Sequence, residues 1–139
     1  MDQLPIFVNL KGRNVILVGE GEMADAKRRL IERAGGICVD ADDKDARIAF
    51  VAIADEDVAR VSADALKARG LLVNVVDRPE ICDFTTPAIV DRTPVLVAVG
   101  TGGASAGMAK ALRQRIETLL PETFGPLAPV FRFETEDQA

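Results

Sequence analysis

No histidine occurs among the 139 residues, so proton transfer falls to carboxylates, amines or thiols. One carboxylate stands where such work is done. Asp77 directly follows the apolar run 71–76, which predicts a strand, and open α/β sheets hold ligands beyond the C-terminal ends of their strands. Two roles fit Asp77: proton transfer, or capping of the turn at Arg78 and Pro79. A second group is Gly19, Gly21 and Ala24, a G-x-G-x-x-A turn between the apolar run 15–18 and a helical stripe of Met23, Lys27 (by its alkyl stem), Leu30, Ile31 and Ala34. In a dinucleotide-binding turn Gly19 permits the tight bend, Gly21 lets a pyrophosphate approach the backbone, and Ala24 lets helix and strand pack closely. The helix start at Glu22 and Met23 then offers free N–H groups and a positive dipole end. The plainer alternative is an ordinary tight turn. Asp40 lies about 20 residues beyond the glycines, where an acidic side chain accepts from a ribose 2′-OH and favours NAD over NADP. Its alternative is a solvated loop, since residues 40–45 form a charge cluster.

Ser105 opens a further helical pattern just after Gly102 and Gly103, as an N-cap or as part of an anion site. Arg92 and Arg113, with Arg78, Lys110 and Arg115, gather positive charge around the strand ends and the last helix. That suits a polyanionic small molecule, or it is ordinary solvated charge. The chain as a whole carries a net charge of −5, which argues against nucleic-acid binding. Cys38 and Cys82 lack metal-ligand spacing, so no metal site and no disulfide is expected. No basic leader and no apolar run of membrane-spanning length is evident, which predicts a cytoplasmic protein without membrane contact.

The elements that must position these groups alternate in type. Strands are predicted at 15–18, 36–40, 47–54 and 71–76, with helices over 22–34 and after residues 55–57. The second helix is expected to turn Val58, Val61, Ala65 and Leu66 inward. This β-α-β-β-α-β order with apolar strands implies an α/β, doubly wound, mostly parallel sheet. The acidic link between the second and third strands is too short for a helical crossover. Beyond Asp77 the pattern becomes two strands, 85–91 and 94–100, and a helix striped by Met108, Leu112, Ile116 and Leu119, which Pro121 ends. The resulting division is a dinucleotide-binding part at 1–78, a strand pair and helix at 79–121, and a tail at 122–139.

Several of these stretches together resemble one family. Residues 4–7 and 10–13, then 18–24 with Lys27, are similar to the start of the siroheme synthase N-terminal module. Residues 74–77, Phe84, residues 87–92 and 102–105, with Ala109, Leu112, Arg113, Ile116 and Glu117, match its second half. The resemblance implies a Rossmann-like fold whose C-terminal hairpin and helix serve a homodimer. It implies NAD-dependent oxidation of precorrin-2, a polycarboxylate tetrapyrrole, with ferrochelatase activity in bifunctional members. Asp77 takes the position of the family's catalytic residue, and Ser105, Arg92 and Arg113 are expected at the substrate. The departures are Glu20 for the middle glycine, Ala26 for an arginine, Ile53 or Ala54 for a threonine, Ala106 for a proline, a strand and helix absent between Asp40 and Arg47, and no helical region after Pro121. They leave open a non-catalytic or regulatory paralogue that binds tetrapyrrole or nucleotide.

Overall fold

The structure, a computed structural model, describes residues 1–124. It divides into two units, Met1–Thr85 and Thr86–Ala139. In the first, strands β1 (Asn14–Val18), β2 (Ile37–Val39), β3 (Ile48–Val51) and β4 (Leu72–Val75) form one parallel sheet in the order β2-β1-β3-β4. Helix α1 (Glu22–Arg33) lies on one face and α2 (Glu56–Ala68) on the other.

Strand periodicity produces the two faces. Val15 and Leu17 of β1, with Phe50 and Ala52, pack against Ala24 and Ile31 of α1. Ile16, with Ala49, Val51, Val73 and Val75, packs against Ala59, Ala63 and Leu66 of α2. The α/β doubly wound sheet expected from the element order is therefore present.

The inner face of α2 differs from expectation. Val58 is 51% and Val61 69% exposed, Ala65 is also exposed, and only Leu66 of the expected set is buried. The buried residues are Ala59, Ala63 and Leu66. Small side chains allow the helix to lie close on β3 and β4, so the rotation favours alanines over the larger valines. Ala34, expected inside, is exposed beyond the end of α1.

The short link between β2 and β3 works because the two strands pair with different halves of β1. Val39, the last residue of β2, lies beside Ile16, which also neighbours Ala49 near the start of β3. The chain needs mainly sideways travel past β1, with almost no return along the strand axis. Asp43 shapes that passage: its Oδ1 accepts from the backbone N–H of Ala46 at 2.8 Å and of Asp45 at 2.9 Å, and its Oδ2 from Asn14 Nδ2 at 3.0 Å. The Arg69 guanidinium donates to the carbonyls of Ala41 and Asp43. These bonds, the Ala46 N–H first, hold the Asp43 carboxyl below its ordinary range.

After β4 the chain makes a 3-10 turn (Pro79–Ile81) and doubles back along the strand. Asp83 exchanges backbone and side-chain bonds with Val73, and the N–H of Val75 donates to Cys82 Sγ at 3.1 Å, so the outer edge of β4 is covered.

The second unit contains an antiparallel hairpin, β5 (Ala88–Arg92) and β6 (Val95–Val99), and α3 (Ala106–Leu119), which packs on both strands. Val90 and Ala109 are buried, while Met108, Leu112 and Leu119 of the expected stripe are exposed. The tail assigned to 122–139 lies outside the described residues from 125 onward.

Candidate functional site

At the carboxyl end of β1 the chain turns through Gly19, Glu20 and Gly21 into α1. Gly19 has φ +120°, and a Cβ placed there would stand 2.0 Å from the carbonyl oxygen of Ala52. Only a glycine lets the turn approach the end of β3 this closely. Gly21, with φ +88°, has open space around it, nothing lying within 4 Å of a Cβ built there. It is the N-cap of α1, and no side chain caps the helix. The first N–H groups of α1 are therefore left without a side-chain cap beside an open turn, which suits an anion. Glu20, Glu22 and Asp25 bring carboxylates to the same turn. They oppose an anion, whereas the backbone geometry favours it.

Asp40 is exposed immediately after Val39, so the register sets it level with Leu17, two residues before the first glycine. Asp77 is exposed at the carboxyl end of β4, with φ 62°, the one non-glycine residue with positive φ among those described. Aspartate tolerates this conformation better than most residues, and held backbone strain of this kind concentrates at functional positions. Gly19, Gly21, Glu22, Met23, Ala24, Asp40 and Asp77 thus all belong to one edge of one sheet.

Two further residues join this edge. Lys27, counted by its spacing as part of the apolar face of α1, is half-buried with Nζ 5.7 Å from the ring centroid of Phe50. Burial lowers the Lys27 pKa, and the charges of Asp77 and then Cys82 act in the opposite direction. Phe50 in turn meets Phe84 edge-on, with centroids 5.4 Å apart. Asn74, 5% exposed, donates from Nδ2 to the carbonyl of Phe84 at 2.9 Å, and its Oδ1 has no partner among the described residues. An asparagine inside the apolar run 71–76 is the signal for it. Lys27 gives a weaker one, a lone cation on an otherwise apolar helix stripe.

The remaining expected residues have local partners. The Arg78 guanidinium donates to the carbonyls of Ile53 at 3.2 Å and Ala54 at 2.8 Å, which ties down the end of β3. In the second unit Ser105 is the N-cap of α3, its Oγ accepting from Met108 N–H at 3.0 Å. Arg113 pairs with Glu117 at 2.5 Å. Arg92 donates to the Asp91 carbonyl at 3.3 Å, and its buried Nε has no partner among the described residues.

A cavity of about 540 Å³ opens at the other end of the sheet, lined by Leu10, Arg13, Asn14, Arg47, Ile48 and Leu72 among others. These residues stand at the amino ends of the strands. Neither the glycine turn nor Asp77 reaches it, and chemistry at a parallel sheet belongs to the opposite edge.

Sequence comparison supplies the ancestry. Siroheme synthase of Azotobacter vinelandii is 41% identical over 160 aligned positions, which take in 95% of this chain and 34% of the relative. Siroheme synthase of Methylococcus capsulatus is 41% identical over 155 positions, with 92% and 33% covered. The chain is homologous to the N-terminal module of siroheme synthase. It spans about a third of the length of these siroheme synthases. The alignment of 160 positions exceeds the chain's 139 residues, so the A. vinelandii siroheme synthase carries segments this chain lacks. A family described as "Putative NAD(P)-binding" matches residues 27–88, a stretch that starts after the glycine turn and includes Asp77. The solved structure of SirC, a precorrin-2 dehydrogenase, shares the fold with a TM-score of 0.70 at 20% identity, over 86% of this chain and 72% of that one. No helix among the described residues is long and apolar enough to cross a membrane.

Proposed function

We propose that this module of the siroheme synthase family oxidises precorrin-2 to sirohydrochlorin, in the cytoplasm, with NAD⁺ as the acceptor. One observation carries the reading: an uncapped, open glycine turn and a carboxylate of positive φ stand on the same edge of a single sheet. When bound, the dinucleotide supplies the hydride acceptor. The N–H groups from Gly21 to Ala24 hold its diphosphate, and Asp40 accepts from the ribose hydroxyls and repels a 2′-phosphate. Asp77 takes the proton that accompanies loss of hydride from the macrocycle. The exposed Met108, Leu112 and Leu119 of α3, in the second unit, form a homodimer face.

The test is direct. Purified protein titrated with NAD⁺ and NADP⁺ should bind the former more tightly, and addition of precorrin-2 should yield NADH, with Asp77→Ala as the control. Failure of the unmodified chain to form NADH rejects the enzyme. A second reading, a paralogue that binds nucleotide without turnover, draws on the exposed Glu20 beside the turn and on the segments missing relative to the A. vinelandii relative. Saturable NAD⁺ binding with no NADH is its signature.

A further inference from the structure

The cavity at the amino edge of the sheet has no part in the dehydrogenase reading, and its walls have a chemistry of their own. Helix α1 packs mainly on β1 and β2, while α2 packs on β3 and β4 from the other side. Ile48 and Leu72 are neighbours at the starts of β3 and β4 and face the α1 side of the sheet. Leu72 is half exposed there, and so is Val8 of the N-terminal segment. A parallel sheet ordinarily has both faces covered, so an aliphatic surface left open at this point calls for an apolar group. With Leu10 these residues line a space of about 540 Å³, within the range of about 300–1,000 Å³ usual for small-molecule sites.

Arg13 and Arg47 stand in the same lining, with Asn14 and Asp45. Arg47 is fixed in place, its Nη1 donating to the carbonyls of Lys44 at 3.3 Å, Asp45 at 3.0 Å and Ala46 at 3.1 Å. The Asn14 amide is committed to Asp43. The Arg13 guanidinium has no hydrogen-bond or ion-pair partner among the described residues, and neither arginine forms an ion pair with Asp45. Two guanidinium groups against one carboxylate leave the lining net positive, in a chain whose net charge is −5.

We propose that this cavity is a second binding site, for a small amphipathic carboxylate. Its apolar body rests on Val8, Leu10, Ile48 and Leu72, and its carboxylate is taken by Arg13 and Arg47. The planar fork of a guanidinium matches a carboxylate in geometry as well as charge. Arg47 is already held by its loop, so binding has little ordering to do on that side. No thiol, hydroxyl or amine side chain lines the cavity, so the ligand is held and not converted. The inference is independent of the dehydrogenase reading, because the cavity belongs to the end of the sheet opposite the glycine turn and Asp77.

The probe is octanoate, compared with octan-1-ol, which lacks the charge, and acetate, which lacks the apolar body. Each is titrated into the full chain and followed by amide and methyl NMR shifts. Octanoate should give saturable shifts at Leu10, Ile48 and Leu72, octan-1-ol should bind about tenfold more weakly, and acetate should not saturate. Arg13→Gln should weaken octanoate about tenfold with the melting temperature unchanged, since no group among the described residues depends on that guanidinium. Octan-1-ol binding as tightly as octanoate, or Arg13→Gln without effect, overturns the proposal. So do shifts that follow protein concentration and not ligand, the mark of a face between two copies of the chain. Displacement of octanoate by NAD⁺ overturns it too, by placing the dinucleotide in this cavity.

Discussion

Helices α1 and α2 are near twins in all but their beginnings. They have 12 and 13 residues, lie on opposite faces of one sheet, and end alike, with the N–H of Gly36 returning to Ile31 and that of Leu71 to Leu66. Yet α2 starts at Asp55, whose carboxylate accepts from Val58 N–H at 3.0 Å, whereas α1 starts at Gly21 with no side-chain cap. A sealed start contributes about 1 kcal/mol. The α1 start forgoes it and keeps its N–H groups available. The α2 start is closed by its own side chain and the α1 start is left open, and the two helices differ further along as well. The inner face of α2 is alanine and leucine, while α1 carries a cation into the interface.

The largest way to break this contrast lies at Asp77. Asp77→Ala should lower kcat by about 10²- to 10⁴-fold, measured as NADH formation, with NAD⁺ affinity little changed and stability lowered by about 1 kcal/mol because alanine tolerates positive φ less well. An equal loss of affinity and turnover would make Asp77 part of the nucleotide site instead. Next is Gly19→Ala, whose new Cβ meets the Ala52 carbonyl at a φ of +120°. It should cost about 3 kcal/mol in urea denaturation and remove NAD⁺ binding. On the α2 side, Ala63→Val should destabilise by about 1–3 kcal/mol through overpacking, while Val61→Thr should stay within about 0.5 kcal/mol. If Val61 proved the costlier position, the helix rotation described above would be wrong. Smallest of the informative changes is Asp55→Ala, expected to cost about 1 kcal/mol and to leave NAD⁺ affinity untouched.

The sequence made the sheet legible because its signals are local. Apolar runs broken by glycine and aspartate mark the strands, and Gly35 and Gly70 mark the helix ends. The rotation of α2 was not legible, because side-chain size along one helix says nothing of how close the sheet will come. Residues 40–47 raised a difficulty that register resolves, and register depends on partners far away in the chain. At the candidate site, the glycine turn and Asp77 announce themselves by type and spacing. Lys27 and Asn74 do not, since their meaning comes from Phe50 and Phe84, which reach them only through the tertiary fold. Ser105 carried two readings, an N-cap and part of an anion site, and the geometry engages its hydroxyl as the cap.

The claim under all of this is that the open turn at the carboxyl edge receives the dinucleotide. Amide chemical-shift mapping during an NAD⁺ titration tests it most directly. Saturable shifts centred on Gly19–Ala24 and reaching Asp40 and Asp77 are the predicted result. Shifts confined to the cavity around Leu10, Arg13 and Arg47 at the amino edge, or none at all, would contradict it.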